Sequence, residues 1–379
     1  MKKILFVVPY LGGGGAERVL VDLINLINKD YHFKYSITLF TIGSGVLDDQ
    51  VDGTIKHIKL INTDLSNKKF FPKIKIKLIT GVLKLISPQS MRRFLNIILK
   101  ETFDIEIAFL EGFPIKFVSQ SSRQKIGWIH TDLSKFNYCK SYFRNKEEEI
   151  NTYSEIDKTI FVSDLSREGY KEYFNNINNE KNLHVIRNAL NIDRVIELSR
   201  EGIDLDFKYI CSVGRLSYEK GYDRLIKIYY ELRNEKKITD IKLVLIGSGK
   251  LEIELKELAK SMNLEDHVIF IPFNTNPYKY IKKSEFFVSS SRVEGYPTVV
   301  LEALILDTPV LATDTGASVI LNNGEFGLVV QNNSDELKKG ILEVINNKAH
   351  YANKTTNGRE MVYKINHNVV NNIIELLEN

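Results

Sequence analysis

Ile4-Leu5-Phe6-Val7-Val8-Pro9-Tyr10-Leu11-Gly12-Gly13-Gly14-Gly15-Ala16-Glu17 decides the fold class. Its first five residues are apolar without alternation, which suits a strand covered on both faces. Pro9 ends the run and four glycines follow. From Ala16 to Asn28 apolar residues recur at helical spacing. Glycines allow close backbone approach, and a helix N-terminus presents free N–H groups to an anion. The loop is not a dinucleotide fingerprint, because the sixth position counted from Gly12 is Glu17 rather than glycine. With Met1-Lys2-Lys3 in front, the run imitates a signal peptide. Pro9 and the glycines interrupt it and no small-residue cleavage site follows, so it reads as a first buried strand.

The same pattern recurs outward along the chain. Ser36–Thr41, Ile55–Leu60, Ile105–Leu110, Lys125–His130 and Thr159–Ser163 read as further strands, with a clear helix at Asp164–Phe174. The pattern then restarts. Lys208–Val213, Lys242–Ile246, Val268–Ile271, Phe286–Ser290, Pro309–Ala312 and Gly327–Val330 form a second set of strands. Helical patterns follow at Gly221–Lys236, Leu251–Met262, Thr298–Leu306 and Ser334–Asn346. Apolar strands alternating with helices predict an α/β protein with two doubly wound, parallel-sheet units facing across a cleft. The boundary falls between Asn188 and Phe207, in a polar stretch that reads as a linker. The expected domains are 1–190 and 191–364, with a short C-terminal helix, about 365–379, available to pack back on the first.

A length of 379 residues agrees with two domains. Hydrophobic residues at 43% and charged residues at 26% exclude a disordered or collagen-like chain. Cys139 and Cys211 are too few for a disulfide framework or a cysteine-rich zinc site. No His-x-x-x-His pair or Cys/His cluster occurs, so no protein-held metal is expected. No apolar run reaches the roughly 18 residues of a membrane span.

Residues 1–190 carry 28 basic and 21 acidic side chains, a net of +7, while the remainder carries −3. The excess concentrates between Leu65 and Lys100, at Lys68, Lys69, Lys73, Lys75, Lys77, Lys84, Arg92, Arg93 and Lys100, with no acid and with apolar residues interleaved. A basic amphipathic stretch of this kind suits an anionic membrane surface, a nucleic acid or a phosphorylated acceptor. Its plainer reading is a solvated helix face packed on the sheet.

In open α/β sheets ligands bind outside the carboxyl ends of the strands. Three junctions there carry informative residues. Gly12–Gly15 is the first. The second is Val213-Gly214-Arg215-Leu216-Ser217-Tyr218-Glu219-Lys220-Gly221, where two cations converge on a helix start, a chemistry that suits a diphosphate and its departure. The third is Ser289-Ser290-Ser291-Arg292-Val293-Glu294-Gly295-Tyr296-Pro297-Thr298, with Pro297 placed for a first helical turn. Glu294 and Glu302 are eight apart, two helical turns, and would lie about 12 Å apart if both were helical. That exceeds the roughly 5–9.5 Å of hydrolase acid pairs, so they suit two parts of one long ligand. His130 ends the strand Lys125–Ile129, at a position open to either a structural or a cleft role.

Taken together, the glycine loop, Gly214-Arg215…Lys220-Gly221 and Glu294-Gly295-Tyr296-Pro297…Glu302 resemble the retaining glycosyltransferase family 4, in the same order and over nearly the whole chain. The resemblance implies the GT-B fold, with a nucleotide-sugar, UDP-linked by analogy, bound mainly by the second domain and no further cofactor. It implies that Arg215 and Lys220 hold the donor diphosphate, Glu294 the sugar hydroxyls and Glu302 the ribose. Amides around Gly295, Tyr296, Pro297, Thr298 and Val299 would meet sugar and phosphate. Gly14 and Gly15 would face the cleft, Gly15 toward the donor, with Gly13, Gly14 and His130 on the acceptor side. The chain departs from the family's Pro-Asn-Gly turn at Arg187-Asn188-Ala189. The first motif resembles bacterial members that build O-antigen or capsule on a polyprenyl-diphosphate lipid. The resemblance therefore implies a cytoplasmic enzyme, peripheral on the inner membrane face, with no nucleic-acid partner. Nucleotide-sugar 2-epimerases and a non-catalytic nucleotide-sugar binder share the architecture and are the rival expectations.

Overall fold

The computed structural model describes residues 1–61, 81–175 and 180–378. The chain divides into two compact units, Met1–Leu190 with Asn368–Asn379, and Asn191–His367.

The first unit is built on parallel strands β1 (Lys2–Val8), β2 (Tyr35–Thr41), β3 (Lys56–Lys59), β4 (Ile105–Ala108), β5 (Gln124–Ile129), β6 (Lys158–Phe161) and β7 (Leu183–Val185), in spatial order β3-β2-β1-β4-β5-β6-β7. In the centre Ile4 stands between Ile37 and Ile105. Residues Ile4–Val8 have no exposure at all, as an apolar run covered on both faces requires. Helix Gly15–Tyr31 buries Val19, Leu20, Leu23, Ile24 and Ile27, one stripe at helical spacing. Helix Asp164–Phe174 begins at a capping box between Ser163 and Ser166, which satisfies amides that the first turn leaves free. Strand β7 has no counterpart in the sequence reading: its three residues are only half-buried, at the sheet edge.

The second unit carries β8 (Lys208–Val213), β9 (Ile241–Ile246), β10 (Val268–Ile271), β11 (Phe287–Ser289), β12 (Val310–Thr313) and β13 (Leu328–Val330), all parallel, in the order β10-β9-β8-β11-β12-β13. The stretch expected as a linker contains a helix, Ile192–Ser199, whose first turn is capped by the Asn191 side chain. The C-terminal helix is also longer than expected. It runs over 31 residues, Lys348–Glu378. Its end lies on the first unit, where Lys2 Nζ donates to Leu377 O at 3.1 Å and Lys158 Nζ to Leu376 O at 3.0 Å. These lysines meet the carbonyls that a helix C-terminus leaves unpaired.

Each sheet reverses its strand order once, between β1 and β4 and between β8 and β11. Such a switch point leaves a crevice at the carboxyl ends of the two strands. Gly12–Gly15 follows β1, residues 214–221 follow β8, and residues 290–297 follow β11. His130 follows β5, one strand further along.

The basic stretch divides. Lys68, Lys69, Lys73, Lys75 and Lys77 lie outside the described residues. Lys84 and Arg93 are exposed. Arg92 is a correction to the surface patch. From helix Pro88–Leu99 its guanidinium makes a double ion pair with the fully buried Glu106 of β4, and lies 5.0 Å from the ring centroid of Phe117. A charge that neutralises a buried carboxylate is not available to a lipid headgroup.

Candidate functional site

Strand β8 ends at Val213, and the chain then turns through Gly214. Leu216 N donates to Ser248 O at 3.1 Å and Leu251 N to Leu216 O at 3.0 Å, so this loop is zipped to Gly247-Ser248-Gly249 behind β9. Gly221 has φ 68°, and a Cβ there would stand 2.2 Å from Ser290 O. Only glycine fits that conformation in that space. Gly221 is the N-cap of helix Tyr222–Asn234, so Lys220 sits beside the free amides of that helix. Arg215 is exposed on the same loop.

The loop behind β11 is fastened to this one. Ser290 Oγ donates to Lys220 O at 2.9 Å, and Arg292 N donates to Glu219 O at 2.6 Å. Arg224, nearly buried, donates to Ser290 O from Nε at 3.1 Å and Nη2 at 2.7 Å, and from Nη2 to Ser291 O at 3.0 Å. Arg292 grips Asp223 through two hydrogen bonds, 2.7 and 2.8 Å, and also donates to Tyr218 O. Burial alone would raise the Asp223 carboxyl, but the hydrogen bonds and charge of Arg292 outweigh it and hold it below the usual range. Sequence reasoning misses Arg224, Asp223 and Arg292, which read there as ordinary charges of a helix and a loop.

Glu294 is held at both its ends. Its carbonyl accepts from Gly316 N at 3.0 Å, and Gly316 approaches so closely that a Cβ would lie 2.1 Å from Gly295 O. Its carboxylate accepts from Ser291 Oγ at 2.8 Å and pairs with Lys220 Nζ. The structure corrects the helical spacing expected for the two acids. Pro297 is the N-cap of helix Thr298–Ile305, one residue outside its first turn, so Glu294 is not helical while Glu302 is. The two also differ in burial: Glu302 is 3% exposed, the Glu294 side chain 14%. Gly295, Tyr296, Pro297 and Thr298 are buried around them and Val299 is half-buried.

In the first unit Gly13 takes φ 83°, and Gly14 is the N-cap of helix Gly15–Tyr31 with no side chain capping it. That leaves main-chain amides at the helix start. His130 Nε2 lies 2.9 Å from Phe109 O, so Nε2 carries the proton and Nδ1 of the neutral ring is the acceptor. Burial lowers its pKa, against the pull of the nearby Glu111 charge. Glu111, 2% exposed and just behind β4, is also missed by sequence reasoning. Its Oε1 accepts from His130 N at 2.7 Å, Thr131 N at 2.9 Å and Thr131 Oγ1 at 3.0 Å, and its Oε2 from Tyr138 Oη at 3.0 Å. Its only sequence signal is an acid straight after an apolar strand. Among the described residues no three His, Cys, Asp or Glu side chains gather as a metal site, and no helix is long and apolar enough to cross a membrane.

The arrangement can hold an anion beside Lys220 and polar groups beside Glu294. Residues 193–361 match the family model described as glycosyl transferases group 1. The chain is 27% identical, over 91% of its length and 90% of the relative's, to N-acetylgalactosamine-N,N'-diacetylbacillosaminyl-diphospho-undecaprenol 4-alpha-N-acetylgalactosaminyltransferase of Campylobacter jejuni. It is 23% identical to the amylovoran biosynthesis glycosyltransferase AmsD of Erwinia amylovora, over 98% of this chain and all of that one. Among solved structures, Anabaena Alr3699/HepE in complex with UDP and glucose superposes with a TM-score of 0.74 at 18% identity, covering both chains fully. Sucrose-phosphate synthase of Thermosynechococcus elongatus gives 0.76 at 17% identity, over 100% of this chain and 98% of that one.

Proposed function

We propose that this protein, a glycosyltransferase of the GT-B fold, moves a hexose or N-acetylhexosamine from a UDP-sugar to a glycan carried on a polyprenyl diphosphate. The product would enter a bacterial surface polysaccharide. The observation that carries the reading is the joined pair of loops behind β8 and β11, which brings a lysine, a helix N-terminus and Glu294 to one switch point. The lipid-linked acceptor is supported by the name of the Campylobacter relative, and the carrier nucleotide by the UDP bound to the Anabaena protein.

In this reading Arg215 and Lys220 hold the diphosphate, Glu294 the sugar hydroxyls and Glu302 the ribose. Amides from Gly295 to Val299 line sugar and phosphate, and Gly15 serves the donor. Gly13, Gly14 and His130 serve the acceptor. Transfer proceeds with retention and without a protein-held metal. The anomeric bond to the diphosphate breaks toward an oxocarbenium-like state while Lys220, Arg215 and the helix amides take up the charge that develops on the departing oxygen. The acceptor hydroxyl attacks from the same face, and its proton passes to that departing diphosphate.

The enzyme would work at the inner face of the cytoplasmic membrane. Leu85 at 74%, Phe94 at 54% and Ile97 at 72% exposure, with exposed cations in the same stretch of sequence at Lys84 and Arg93, give residues 84–97 an apolar and basic exposed composition suited to anionic lipid. The test is a screen of nucleotide-sugars against a polyprenyl-diphosphate oligosaccharide, read by mass and by NMR of the new anomeric centre. A retained anomer from a UDP-sugar is expected. An inverted anomer, or conversion of the donor to an epimer without acceptor, contradicts the reading.

A further inference from the structure

We infer that Glu294 is also the internal counter-ion of Lys220, displaced by the donor diphosphate and restored as the nucleotide product leaves. This rests on the donor site proposed above and adds a second role for its carboxylate. The Lys220 ammonium and the Glu294 carboxylate are in direct contact, and their side chains are only 23% and 14% exposed. Neither main chain is free to retreat. Ser290 Oγ holds the Lys220 carbonyl and Gly316 N holds the Glu294 carbonyl. Ser291 Oγ fixes the same carboxylate oxygen that meets the lysine. Any ligand that takes Lys220 therefore does so by moving side chains away from one another.

The consequence is a difference between donor and product. A nucleotide-sugar offers its diphosphate to Lys220 and its sugar hydroxyls to the released Glu294, so both partners are replaced. A bare nucleoside diphosphate replaces only one. It leaves a half-buried carboxylate without its cation, which is the costly half of a broken ion pair. Glu294 thus weakens the hold on UDP while leaving the hold on UDP-sugar intact, and it clears the site after transfer.

The test is calorimetric titration of the full chain with UDP, GDP and ADP in four forms: wild type, Glu294→Gln, Lys220→Gln and the double variant. Thermal melts confirm that each form is folded. Glu294→Gln should bind the preferred diphosphate about tenfold more tightly than wild type, a gain of about 1.4 kcal/mol. In the Lys220→Gln background the same substitution should change nothing, because the competition passes through the lysine. Equal affinity of wild type and Glu294→Gln overturns the inference and leaves the donor site standing. So does equal tightening in both backgrounds, which would be plain repulsion between carboxylate and phosphate. No binding of any diphosphate to any form removes the donor site itself, and the counter-ion with it.

Discussion

The carboxylate of Glu111 takes the main-chain amide of His130 at 2.7 Å, so an acid at the end of one strand sets the direction of the histidine at the end of the next. The same carboxylate collects Thr131 and Tyr138. Removing it by Glu111→Ala strands partly buried donors, at up to roughly 1–3 kcal/mol for each one left unpaired. A loss of about 3 kcal/mol is expected. Glu111→Gln keeps the carbonyl that serves His130 and Thr131, and Tyr138 can turn its hydroxyl to accept. It should cost about 1 kcal/mol or less. Urea denaturation of both variants checks the contrast.

His130 gives a pH dependence. Its folded pKa lies below the ordinary value of 6.5. The unfolded chain therefore takes up a proton at this site at higher pH than the folded one. Stability from His130 is in full above pH 6.5, and is lost as pH falls from there through the folded pKa. Transfer that needs the neutral ring should hold its rate through pH 6.5 and decline only at lower pH. His130→Gln should lower the rate while leaving UDP affinity unchanged, as titration against the wild type would show.

Arg92 and Arg93 are neighbours in sequence with opposite consequences. Arg92→Ala leaves the buried Glu106 without its cation and should destabilise the protein by about 3–5 kcal/mol. Arg93→Ala is a surface change and should leave the melting temperature within about a degree or two of wild type. On flotation with anionic vesicles the order reverses in interest: Arg93→Ala, alone or with Lys84→Ala, should release protein from the lipid fraction. Unchanged flotation of the pair would remove that face as a membrane contact.

The Arg292–Asp223 clamp behind the donor loops is partly open to solvent, so its worth is modest, about 1 kcal/mol. Its Asp223 carboxyl is held below the ordinary range, so this stability is present above about pH 4 and is lost as pH falls through the lower folded pKa. Asp223→Asn should raise KM for the nucleotide-sugar severalfold with little change in kcat, because it loosens the loop that carries Glu294 and leaves the reacting groups in place. Steady-state kinetics at fixed acceptor concentration measure the split.

The strands are legible because parallel sheets bury both faces, so Ile4–Val8 stands out as an unbroken apolar run and Lys208–Val213 as a largely apolar one interrupted by Ser212. The sequence bounds of Lys208–Val213 and Val268–Ile271 agree with the structure to the residue. Strand β7 is not legible, since Leu183–Val185 is a short edge strand that needs little burial. The long final helix shows only near its end, because the stretch before Val369 is too rich in polar residues to carry one continuous apolar stripe. In the site, the sequence points to the loops that carry Arg215, Lys220 and Glu294, since motif residues cluster at strand ends. It does not point to what holds those loops. Arg224 meets Ser290 across 66 positions and Arg92 meets Glu106 across 14, and no local spacing rule connects such pairs.

In the proposed reaction the loop behind β8 and the start of helix Tyr222–Asn234 receive a sugar-nucleotide's diphosphate. A crystal structure of the protein grown with UDP tests it directly. Phosphate oxygens should appear within about 2.7–3.2 Å of the Lys220 ammonium and the Arg215 guanidinium. A diphosphate bound elsewhere, touching neither side chain, would show that other residues hold the donor.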